Sequence, residues 1–292
     1  MISPFNTTMT NPSYPSMAIK VLFCDMTPVE ALITAARRYC QENFAYWADR
    51  YSNERSGQDF HAYSYSDQDY NLFPRYNALS AILDKVEMLV GESYSDILLC
   101  RQALVQVGLS AESPFTIDEK NTIAKAAIQD ERDKFVDFVQ EVTLGELGLV
   151  EPLPHRRRLK IEEKKAVRQK LLELWNYNGD YWDPLDEKCP VESLFLSKDR
   201  ITKQDYHAII EFICGNTALH LLEVTEDGKD AEIAAIEFHP NCYETIYCDR
   251  DYRWVIYGSH EGTITFAGEG LLTFIKYHFI GRETLFNKWP EY

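Results

Sequence analysis

Apolar positions along this chain follow two regimes. In the first half they recur every three or four residues, the spacing of one helix face. Beyond residue 218 they come in short, β-branched and aromatic runs broken by turn residues, the mark of strands. Thr27-Pro28-Val29-Glu30 is a capping box with Pro at the first helical position, and the helix it opens is expected to reach about Tyr51. Its apolar face carries Leu32, Ala36, Tyr39/Cys40, Phe44 and Trp47. Residues 52–73 have no periodicity and read as a long loop holding His61, Tyr63, Tyr65 and Tyr70. Pro74 then starts a helix that Gly91 ends, and a shorter one runs from about Asp96 to Val107. Thr116-Ile117-Asp118-Glu119 reads as a second capping box for a helix to about Val142.

Two more helices are expected later, from about Glu162 to Trp175 and from Thr202 to Gly215. Strands are expected at Leu219–Thr225, Ala231–Phe238, Tyr243–Cys248, Arg253–His260 and Thr263–Ala267, with a last helix from about Glu269 to Phe279. Asp227-Gly228 and Glu261-Gly262 supply two-residue hairpin turns. With Glu261-Gly262 as such a turn, His260 would face Thr263 and Ser259 would face Ile264. Helices first and strands second predict an α+β protein: an N-terminal helical, bundle-like half followed by an antiparallel β meander packed on helices. The expected divisions are a Ser-, Thr-, Asn- and Pro-rich flexible tail over 1–18, a helical domain over 19–150, and an α+β domain over 151–292.

Charge changes the picture. The 292 residues carry a formal charge of −16, which repels nucleic acid and anionic membranes and favours a basic protein as partner. From Pro152 to Lys170 the sign inverts. Eight basic residues there face only Glu162 and Glu163, a net of +6, which leaves the rest of the chain at −22. Such a segment either pairs with the protein's own carboxylates or meets an anionic ligand, and the abundance of carboxylates favours the first. Seven cysteines at scattered spacings without a CxxC pair fit free thiols in a reducing cytoplasm. No run of eighteen apolar residues occurs.

The candidate chemistry is sparse. Ser259-His260-Glu261 has the residue types of a catalytic set, but neighbours on a strand point to opposite faces, so Ser259 and His260 do not pair as nucleophile and base. His239-x-x-Cys242 with Cys248 lacks a fourth ligand for zinc. Asp180, Asp183 and Asp186-Glu187 lack the calcium-loop pattern. Walker, GxGxxG, HExxH and GxSxG motifs are all missing. No catalytic residue, metal ligand or cofactor is therefore assigned. The candidate binding residues are His260, Glu261, Thr263 and Tyr257 at the last hairpin, Trp182 from the aromatic turn after Trp175, and Arg157 from the basic run.

Arg253 to Phe266 (RWVIYGSHEGTITF), with Leu153 to Leu159 (LPHRRRL) and Gly179 to Leu185 (GDYWDPL), resembles bacterial proteins of no assigned activity. Some of these are similar to antitoxin-like immunity proteins in size and acidity. The resemblance spans about the last half of the chain, implies a bacterial, cytoplasmic protein, and brings no known catalytic residues. Two functions from different classes follow, beside a third reading as a purely structural oligomer subunit. One is an interaction protein that neutralises or scaffolds a basic partner. The other is an enzyme or small-ligand-binding protein whose pocket lies between the helical half and the sheet, with His260, Glu261 and an arginine of 156–158 in reach.

Overall fold

The computed structural model describes residues 26–54, 64–183, 192–216, 220–239 and 243–290. The expected tail over 1–18 lies outside them. The helical half comprises α1 (Pro28–Glu54), α2 (Asp67–Glu87), α3 (Ile97–Ser110), α4 (Thr122–Glu141) and the single turn α5 (Leu144–Leu147). Thr27 caps α1 as its sequence predicts: Glu30 Oε2 accepts from Thr27 N at 2.8 Å. Leu32, Ala36 and Cys40 are buried against Ile82, Leu104, Phe135 and Val139 in one core. Phe44, expected on the same face, is exposed.

Three boundaries differ from expectation. The 52–73 loop is shorter, because α1 runs to Glu54 and α2 begins at Asp67; His61 and Tyr63 lie outside the described residues. Ser66 and Asp69 form a reciprocal capping box ahead of Pro74, so Pro74 sits inside α2 rather than at its start. The third concerns Thr116, which bonds Ser113 in a turn; the α4 cap is Asn121, whose Oδ1 accepts from Ile123 N at 2.9 Å. Asp118 between them has φ +56°, which halts any helix started at Thr116.

The second half adds β1 (Arg156–Arg158), α6 (Ile161–Trp175), β2 (Ser193–Ser197), α7 (Lys203–Asn216), β3 (His220–Thr225), β4 (Ala231–Ala234), β5 (Thr245–Cys248), β6 (Val255–Gly258), β7 (Thr263–Ala267) and α8 (Glu269–His278). The fold is α+β, with one antiparallel sheet in the order β1-β4-β3-β5-β6-β7-β2. Within β3 to β7 it departs from a plain meander at one step: β5 pairs with β3 on the side away from β4. The edge strands β1 and β2 were not anticipated; β1 is three arginines and β2 has no flanking turn signal. Side chains alternate across the sheet. Leu221, Ile233, Tyr247, Ile256 and Phe266 pack under α7 and α8. Leu222, Ile246, Val255 and Tyr257 pack under α6, with Trp175, Tyr177 and Trp182.

The β6–β7 hairpin corrects the expected register. Gly258 pairs with Ile264, and Ser259 N donates to Thr263 O at 3.0 Å, so the loop is His260-Glu261-Gly262. Gly262 has φ +70°, the left-handed residue that closes a three-residue hairpin loop. A slip of one residue turns every β7 side chain over. Ile264 and Phe266 therefore face the α7–α8 core with Ile256, while Thr263 and Thr265 share the other face with Tyr257.

Candidate functional site

Five of the six sequence candidates meet at one end of the sheet. The Trp182 and Tyr257 rings stand edge to face at 5.9 Å, and Tyr181 lies 6.3 Å from Tyr257 and 6.5 Å from His260. Trp182, Tyr257 and Thr263 are buried, so they act as the wall of this corner. His260 and Glu261 are the residues open to solvent. His260 Nδ1 and N both bond Glu244 Oε1, and Nε2 lies 3.3 Å from Glu261. The Glu244 bond raises the His260 pKa above its ordinary value, and the Glu261 charge adds to it. Glu244 was not singled out from the sequence. It sits at φ +43°, and its second carboxylate oxygen and the Tyr257 hydroxyl are buried without a hydrogen-bond partner among the described residues. Ser259 Oγ accepts from Glu261 N at 3.1 Å, a turn role in place of a catalytic one.

Arg157 does not join them. It lies on β1, four strand spacings from β6, roughly 19 Å at about 4.8 Å each. A bidentate pair with Glu163, at 2.8 and 2.9 Å, holds it there. Its neighbours are also occupied. Arg158 Nε lies 3.1 Å from Glu87, Arg156 Nε 3.7 Å and Arg37 Nη2 3.8 Å. Arg156 also bonds Glu223, and Arg168 bonds the buried Asp230 at 2.7 Å. The arginines of the basic run are thus paired inside the protein, while Lys160, Lys165 and Lys170 stay exposed beside surface carboxylates. These arginines tie the helical half to the sheet at β1.

A groove of about 470 Å³ lies instead beside the helices. Thr143 ends the α4 connection by capping α5 with Glu146, and the chain turns back along α1, where Arg38 Nη2 donates to Glu151 O at 3.0 Å. Tyr39, Phe138, Val142, Leu149 and Val150 floor the groove, and Glu42, Glu146 and Glu151 rim it. Tyr39 and Phe138 stack at 4.6 Å, and Leu149 is 83% exposed.

A further constellation went unnoticed in the sequence, because its members are 65 and 12 residues apart and match no motif. His155, His220 and Glu232 converge on the α6 side of β1, β4 and β3, with ligand atoms within 4.8 Å of one another. The bond from His155, with Arg250 and Arg157 adding to it against the opposing effect of burial, holds the Glu232 carboxyl down at about 2. Burial, and then the charge of His155, pulls the His220 pKa below its usual value. The motif considered earlier, His239 with Cys242 and Cys248, cannot be placed, since Cys242 lies outside the described residues. Cys248 is buried, and burial raises its thiol pKa.

Compared with known proteins, the chain matches no family model, no curated protein and no solved structure. Among the described residues, no helix is long and apolar enough to cross a membrane.

Proposed function

We propose that this chain is an acidic interaction protein of the bacterial cytoplasm that binds a basic protein partner, as an antitoxin-like immunity protein does. The observation that carries the reading is the α1–α4–α5 groove: a partly exposed apolar floor, with Leu149 open to solvent, beside Arg38 and the carboxylates of Glu42, Glu146 and Glu151. Exposed apolar surface inside a polar rim is the usual character of a protein contact. The carboxylate rim selects a segment that carries an apolar anchor flanked by Lys or Arg. Charge supports it further. The arginines of the basic run are internally paired, so they do not compete with such a segment, and the formal charge of −16 speeds encounter with a basic partner.

The test is a pair of variants in the full chain. Leu149→Arg puts a cation at the groove floor, and Glu42→Lys with Glu151→Lys reverses its rim. All three residues are exposed, so the fold should survive, which circular dichroism checks. Both variants should lose a basic protein retained by the wild type. Retention equal to wild type in both overturns the groove as the contact.

A further inference from the structure

We propose that His155, His220 and Glu232 form a binding site for a divalent transition metal, with zinc the first to fit. The sheet register builds it. His155 O accepts from Ala234 N at 2.7 Å, and His220 pairs with Ala234 from the other side, so the two histidines flank one residue of β4. Ala234 is small enough for the imidazoles to meet over it, stacked at 3.9 Å between centroids. Glu232 lies two residues along β4 and therefore on the same face.

The carboxylate divides its work. Oε1 lies 2.8 Å from His155 Nε2 and 3.6 Å from His220 Nδ1. Two donors at 2.0–2.1 Å from a tetrahedral zinc lie about 3.3–3.4 Å apart, between those two separations. Rotation of the two rings out of their stack, with shifts of the donors, would seat an ion among all three. Oε2 belongs to the arginines: Arg250 bonds it, and Arg157 lies 3.5 Å away, itself anchored by Glu163. Such outer contacts fix the carboxylate while leaving one oxygen for the metal. Their positive charge opposes a second cation, so binding is weaker than at a closed structural site. Two nitrogens and one oxygen suit zinc and its neighbours rather than calcium or magnesium. Three protein donors leave a fourth position open, and the histidine side chains are 24% and 31% exposed, so that position is reachable from solvent.

The experiment titrates the full chain with zinc alone by calorimetry, and with cobalt(II) by visible absorption. One equivalent should bind, with the d–d bands of a four-coordinate site. His220→Ala should weaken zinc at least about tenfold while circular dichroism stays unchanged, and His155→Ala should do the same. Cys214→Ser removes the one exposed thiol among the described residues and should leave affinity unchanged. Wild-type protein that takes up no zinc in excess overturns the site. So does uptake that survives His220→Ala, or that disappears with Cys214→Ser. A third titration uses inorganic phosphate. Binding of phosphate but not zinc would mean that the arginines and histidines form an anion site, and would also overturn it.

Discussion

Arg158 of β1 reaches across the seam to Glu87 of α2, its Nε 3.1 Å from the carboxylate of a residue that is 1% exposed. Burial pushes the Glu87 pKa up, against the pull of Arg158, Arg156 and Arg37. The contact is close but not aligned as a hydrogen bond, so Glu87 Oε2 acts as a shared counter-charge. Removing that charge leaves three guanidiniums without it in the seam. Glu87→Gln should therefore destabilise the protein by about 3–5 kcal/mol in urea unfolding. A loss under about 1 kcal/mol would show that Asp84 and Glu223 suffice to hold the arginines.

Gly108 reverses a familiar sign. Gly→Ala inside a helix ordinarily stabilises by up to about 1 kcal/mol. Here an added Cβ would come 2.7 Å from the Phe135 ring and 2.9 Å from Val136, where α3 packs on α4. Overpacking costs typically about 1–3 kcal/mol, so the clash wins. Gly108→Ala should lower the thermal midpoint; a raised midpoint would refute close packing of these helices.

At the hairpin, the Glu244 bond favours protonated His260 in the folded protein. Its contribution is complete below the unfolded value of about 6.5 and is lost as pH rises through the folded value. NMR titration of the His260 ring should give a pKa above that reference. In Glu244→Gln it should fall back toward it. An unchanged value in the variant would mean that Glu261, not Glu244, holds the proton.

Asp205 caps α7 with Thr202 and takes a bidentate pair from Arg282, at 3.0 and 2.6 Å. Burial alone would raise its pKa, but the bonds from Arg282, Thr202 and His278 outweigh it and hold the carboxyl below its ordinary range. That stabilisation is present above the unfolded value of about 3.9 and is lost as pH falls below it. Asp205→Asn should flatten the acid limb of a stability–pH curve between about pH 4 and 2. An acid limb as steep as wild type would contradict this role.

Much of the fold was legible because helix and strand periods differ, and both survive in one sequence. The helical half and the strands from β3 to β7 follow from that pattern. Register was harder. Glu261-Gly262 fits a two-residue turn as well as the end of a three-residue loop, and only pairing across Gly258 and Ile264 chooses. β1 was hidden because three consecutive arginines have no apolar face; of their partners, Glu163 is local to the next helix, but Glu87 and Glu223 come from distant elements. The meeting of Trp182 with Tyr257 was within reach as an aromatic cluster. That of His155 with His220 depends on two strand registers, which no local signal carries.

The central claim, an acidic protein made to hold a basic one, is tested most directly by capture on the immobilised full chain. An extract of the source cell is passed over it at low ionic strength and the retained protein is weighed against the chain by mass spectrometry. One basic protein in a 1:1 ratio is expected, released as salt shortens the screening length toward about 3 Å at 1 M, and absent on Leu149→Arg. An empty column at low salt, or retention indifferent to both salt and the variant, would contradict the account.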